Sequence, residues 1–141
     1  MKSLLSLVFA FAFSTLFAQS ADDVLGLWLV QDKDAYVRIF KKDGKYFGRV
    51  TWLEEPYDEN GKPITDPNGE PILEMEVVSG FVFEEDEWVD GTVYDAEIGK
   101  TYHGSMEMED HDTLNLRGSL DSFGLLGRTE TWTRLKERGN K

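Results

Sequence analysis

The segment Gly127-Arg128-Thr129-Glu130-Thr131-Trp132-Thr133-Arg134-Leu135 alternates strictly between two kinds of side chain. A period of two is the mark of a strand with two unlike faces. Thr129, Thr131 and Thr133 make one row, and Arg128, Glu130, Trp132 and Arg134 the other. Threonine suits a pleated strand but gains little from burial. The threonine row is therefore expected to face water and Trp132 the core. Alternation then takes Arg128 and Glu130 inward with Trp132. Buried charges need partners, so this strand is the first place to look for function.

The same logic applies upstream. Strands are expected at 26–30, 36–41, 46–53, 80–84, 88–95, 100–109 and 113–119, and residues 73–78 fit either a strand or a helical turn. Lys42-Asp43-Gly44-Lys45 is a hairpin turn, because Asp-Gly accepts positive φ at low cost. Tyr46, Gly48, Val50 and Trp52 are expected on the inner face of the third strand. Tyr102, Gly104, Met106 and Met108 share one face of a later strand, and Leu114 and Leu116 share one face of the next. No long amphipathic helix interrupts these eight or nine short strands. Tight, sequential connections predict a single small all-β domain, an up-and-down antiparallel barrel that leaves no open sheet edge.

The ends set the remaining bounds. Lys2, the apolar run Leu4–Ala18 and the small residues of Ala18-Gln19-Ser20 predict a cleaved secretory signal over residues 1–20. The run is shorter than the roughly 20 residues that a membrane span needs. The barrel domain is then 21–141, without a later segment apolar enough to span a membrane, and its expected place is the periplasm or the cell exterior. Losing Lys2 moves the formal net charge from −12 to about −13. Such a surface disfavours nucleic acid and anionic lipid as partners. The chain has no cysteine, which removes disulfides, thiol catalysis and thiolate metal sites together.

Gly26-x-Trp28 on the first strand, with an arginine on the last, resembles the calycin signature of lipocalins and fatty-acid-binding proteins. Further stretches match more specifically: Trp52-Leu53, Pro56, Asp58, Gly61 and Pro63; Ser79-Gly80-Phe81; Trp88-x-Asp90-Gly91-x-Val93-Tyr94-Asp95; Gly99-Lys100-Thr101-Tyr102; and Leu126-Gly127-Arg128-Thr129-x-Thr131-Trp132-Thr133-Arg134. Together they resemble the exported bacterial proteins catalogued as domain of unknown function 2147. The resemblance implies a lipocalin-like barrel in which Trp28 closes one end and Arg134 packs across it. It brings no assigned activity, catalytic residue or cofactor. Glu130 stands where such relatives often have glutamine, and the cysteines that many carry in the second and third strands are missing.

Arg128 with Glu130 is the sharpest constellation. In fatty-acid-binding relatives of the fold an inward arginine of the last strand holds the ligand carboxylate, and a guanidinium suits this as a planar, bidentate fork. The alternative is that the two pair with each other or reach solvent at the barrel mouth. Tyr46, Trp52, Phe81, Phe83, Trp88, Tyr94, Tyr102 and Trp132, with Met106 and Met108, either line a ligand cavity or fill the core. The expected ligand-binding set is Arg128, Glu130, Trp132, Tyr46, Trp52, Tyr94, Tyr102 and Met106.

Residues 54–72 form a long, apolar-poor loop. It repeats Asp58-Glu59-Asn60-Gly61-Lys62-Pro63-Ile64 as Asp66-Pro67-Asn68-Gly69-Glu70-Pro71-Ile72. Asn-Gly followed by Pro is turn chemistry. Calcium is disfavoured, since Lys62 and Pro63 occupy positions where an EF-hand needs an oxygen ligand and a glycine. His103 is expected outside and His111 in a turn, so no metal site is expected. Three readings remain: an envelope protein binding a small apolar ligand, with or without a carboxylate; an interaction module with a packed core; and an enzyme using mouth carboxylates with Tyr94 or Tyr102. No nucleophile elbow or phosphate loop supports the last, so the chain is not expected to be an enzyme.

Overall fold

A computed structural model describes residues 19–120 and 127–137. A single turn of 3₁₀ helix, η1 (Ala21–Val24), leads into eight strands: β1 (Gly26–Leu29), β2 (Ala35–Lys42), β3 (Lys45–Leu53), β4 (Glu76–Glu84), β5 (Glu87–Asp95), β6 (Lys100–Asp110), β7 (Thr113–Ser119) and β8 (Gly127–Arg134). Each strand pairs with the next, and β8 returns to β1, giving a closed barrel. The final closure is short, with Trp28 opposite Arg134 and Leu29 opposite Thr133. The predicted fold class therefore holds. The expected leader over residues 1–20 falls mostly on residues outside those described. Among the described residues no helix is long and apolar enough to cross a membrane.

Connections alternate between the two ends. The tight β2–β3, β4–β5 and β6–β7 turns lie at one end. The β1–β2, β3–β4 and β5–β6 connections lie at the other. Asp43 and Gly44 have φ of 53° and 77°, the doubly positive pair that matches hairpin twist. Residues 76–84 form one strand that runs through Gly80, where φ is 75°, so the expected 80–84 segment joins 76–78, and 73–75 stay outside the strand.

The end with the tight turns is packed solid. Val24, Trp28, Phe81 and Trp88 are fully buried, and Tyr46, Met106 and Met108 nearly so. Each large apolar side chain buried this way contributes about 1.5–3 kcal/mol. η1 sits as a plug: the Trp88 indole donates to the Ala21 carbonyl at 3.0 Å and the Trp28 indole to the Val24 carbonyl at 2.9 Å. Gly91 and Gly104 face each other across β5 and β6. Cβ atoms there would lie 2.2 Å and 2.5 Å from Phe81 ring atoms. The ring thus occupies the space that two missing side chains vacate.

The threonine row of β8 faces out and Trp132 is buried. Trp52 departs from the expected inner face. Tyr36 pairs with Trp52 but Val37 with Val50, so Thr51 is an extra residue in the β3 ladder. One bulged residue reverses the facing of the residues after it. Trp52 consequently stands outside, 37% exposed and stacked on Tyr36 at 4.3 Å.

Candidate functional site

The closed end fixes what is structural. Gly26 has φ of 132°, and a Cβ there would lie 2.7 Å from Arg134 Nη1. Glycine is what lets the arginine cross the first strand. Arg134 lies 4.3 Å from the Trp28 ring centroid. Its fork donates to the carbonyls of Leu25 at 2.7 Å and Asp23 at 2.5 Å, and its Nε to that of His111 at 2.8 Å. Burial draws the guanidinium pKa below its ordinary value, opposed by the charges of Asp112 and Asp23. The expected Trp28–Arg134 closure is present.

Tyr46, expected to line a ligand site, belongs to this end instead. It is buried, and its hydroxyl donates to Asp22 Oδ1 at 2.6 Å. Burial, then the Asp22 hydrogen bond, raises its pKa well above the ordinary phenol value. Met106, also expected to touch a ligand, is 1% exposed in the core cluster. Alternation places a side chain inside a barrel but says nothing of its height along the axis.

The other end opens into a cavity of about 1230 Å³. Its walls include Val37, Val50, Leu53, Val77, Val93 and Leu116. Trp132, Tyr102 and Tyr94 add ring surface. Pockets that enclose drug-sized molecules commonly span roughly 300–1,000 Å³, so the space is ample for a small ligand. Of the expected binding set, Arg128, Glu130, Trp132, Tyr94 and Tyr102 border this cavity, whereas Tyr46, Trp52 and Met106 do not.

Arg128 and Glu130 stand at its mouth. Arg128 Nη2 approaches Glu130 Oε1 at 3.4 Å, with side-chain exposures of 79% and 32%. Glu130 Oε2 also accepts the Trp132 indole N–H at 3.3 Å. Of the two readings of this pair, the structure shows the one in which Arg128 and Glu130 meet each other at the mouth and Arg128 reaches solvent, rather than a buried arginine. β8 sends Arg128 to the inner side at the rim, where the barrel wall ends and solvent reaches it.

The 54–72 excursion covers part of the opening, with Ile64, Thr65 and Ile72 on the cavity. Its repeat folds the same turn twice. Asp58 Oδ1 accepts the Asn60 and Lys62 N–H at 2.8 and 2.9 Å, and Asp66 Oδ1 accepts those of Asn68 and Glu70, both at 2.9 Å. Bridges Tyr57–Pro63 and Thr65–Pro71 close the two turns, so the loop is more ordered than its composition implies. Asp66 is buried, and its second oxygen accepts the Tyr94 hydroxyl at 2.7 Å. That bond, then the backbone N–H of Glu70, holds the Asp66 pKa below the usual carboxylate range. The same bond raises that of Tyr94. This loop-to-barrel tie has no signature in the sequence, where Asp66 resembles any turn aspartate. His103 is exposed, and the His111 carbonyl serves Arg134.

Comparison with known proteins agrees with this architecture. A search of the solved structures gives HP1028 from Helicobacter pylori, described as belonging to the lipocalin family. The TM-score is 0.65 at 21% identity, over 80% of this chain and 83% of that one. A search of curated proteins returns no match. The family model described as an uncharacterized protein conserved in bacteria (DUF2147) matches residues 26–134, spanning all eight strands from Gly26 to Arg134. With its lipocalin-like barrel, the chain belongs to that family.

Proposed function

We propose that this is an exported binding protein that holds a small, largely apolar ligand in the open half of its barrel. The single observation behind this reading is the cavity of about 1230 Å³. A barrel of this size can fill itself with side chains, and at the closed end this one does. At the open end Val37, Val50, Leu53, Val77, Val93 and Leu116 line the cavity. That division between a solid half and a hollow half favours ligand binding over an interaction module with a packed core. Catalysis has less support: the carboxylates with displaced pKa, Asp22 and Asp66, are displaced downward by hydrogen bonds, opposite to a poised general acid. Export rests on the leader-like first twenty residues.

Native mass spectrometry of protein purified from the cell envelope tests the reading. The expected spectrum contains a species heavier than the mature chain, and organic solvent releases the added mass. Protein that is ligand-free as isolated and also fails to take up any apolar probe would overturn the proposal.

A further inference from the structure

The charge around the mouth specifies the ligand further. Beside the Arg128–Glu130 pair, six carboxylates border the cavity: Asp32, Asp34, Glu54, Glu55, Asp95 and Glu97. They come from three connections, β1–β2, β3–β4 and β5–β6, together with the end of β5. The chain as a whole has 27 acidic and 15 basic residues. Among the described residues the cavity has seven carboxylates against one cation, so its mouth is far more acidic than the protein's general composition requires. Among the described residues Arg128 is the lone cation on the cavity. Its nearest acid is Glu130, and most of its side chain lies in solvent. Lys33 sits between Asp32 and Asp34 in sequence but does not border the cavity.

Resting on the cavity reading above, we infer that the ligand is a cationic amphiphile: an apolar body carrying an amine or quaternary ammonium group. The body lies among Val37, Val50, Leu116 and Trp132, and the cation stays at the mouth. A cleft lined by one sign of charge, with low-dielectric walls, concentrates the opposite sign. The Tyr102 ring, also on the cavity, adds a face suited to an ammonium group. A carboxylate ligand would meet seven like charges for one arginine, so the acid-binding role drawn from fatty-acid-binding relatives does not fit this mouth. An apolar cavity alone would accept any charge class, and it is the rim that discriminates.

The test uses three matched twelve-carbon probes below their micelle concentrations: dodecyltrimethylammonium, dodecanol and laurate, titrated calorimetrically into the mature protein. The ammonium probe should bind at least tenfold more tightly than dodecanol, with laurate weakest. The preference should shrink as salt rises from 20 to roughly 500 mM, where the screening length falls toward a few ångströms. Replacing Asp32→Asn, Asp34→Asn, Glu54→Gln and Glu55→Gln together should cut it below about threefold while leaving dodecanol affinity in place. Neutralising Glu84→Gln, Glu85→Gln and Glu87→Gln at the closed end should leave it intact. Equal binding of ammonium and alcohol by the wild type overturns the cationic class and leaves the cavity reading standing. So does a closed-end variant that loses the preference as fully as the rim variant. No binding of any probe overturns both.

Discussion

Arg134→Lys keeps the charge of the closing arginine and removes its fork. In the native chain the guanidinium serves three carbonyls, those of Leu25, Asp23 and His111, and stacks on Trp28. A lysine ammonium is a point donor on a flexible stem and cannot hold this planar arrangement. Granting it one carbonyl, two charged hydrogen bonds are lost, each worth roughly 1.5–3 kcal/mol. The site is near the surface, with the Arg134 side chain 13% exposed, so water recovers part of the loss. The expected net cost is about 2–4 kcal/mol. For a domain of this size that is a fall in Tm of roughly 8–16 °C. Trp28→Ala, which removes the ring beneath the guanidinium, should cost about 3–5 kcal/mol, as other large core truncations do. Thermal and urea unfolding followed by tryptophan fluorescence measure both. A lysine variant that melts within about 2 °C of wild type would show that charge alone closes the barrel, and the argument from fork geometry would fail.

Three further expectations rest on particular contacts. Gly91→Ala drives a methyl group into the Phe81 ring, which Gly104 confines on the other side. It should cost about 1–3 kcal/mol, and adding Phe81→Leu should recover at least half of that; strictly additive costs would refute the packing account. Tyr94→Phe removes the leading cause of the depressed Asp66 pKa. Asp66 should then titrate closer to the ordinary value of about 4, and amide exchange over 64–72 should quicken. Because that pKa is depressed by folding, the wild-type tie is complete above the ordinary carboxylate pKa and loosens as pH falls through the lower folded value; unchanged exchange in Tyr94→Phe would dismiss the tie. Calcium should show no submillimolar affinity for 54–72, since one oxygen each of Asp58 and Asp66 already accepts two backbone N–H groups; a calorimetric signal lost in Asp58→Asn would contradict this.

The features legible in the sequence are those that depend on local period. Thr129, Thr131, Thr133 and Trp132 betray the two faces of β8, and Asp43-Gly44 its own turn. Trp28 and Arg134 pair through a family pattern, and the reason for Gly26 emerges only with Arg134 Nη1 lying against it. Trp52 escapes its expected face because the Thr51 bulge depends on what β2 offers opposite, which period alone does not encode. Period gives Tyr46 and Arg128 the right side but not the right height: one is buried at the closed end against Asp22 of the plug, the other stands at the rim. The Asp66–Tyr94 bond spans 28 residues, and the acidic mouth gathers residues from separate connections. Neither has a signature in any single stretch of chain.

The claim that the open half of the barrel is the binding site is tested most directly by nuclear Overhauser contacts between an apolar probe, dodecanol, and isotope-labelled mature protein. The account predicts contacts to the methyl groups of Val37, Val50 and Leu116 and to the Trp132 indole, with none to Trp88 or Met108 at the closed end. Contacts confined to the outer aromatic pairs, Tyr36 with Trp52 and Phe40 with Phe47, would contradict it.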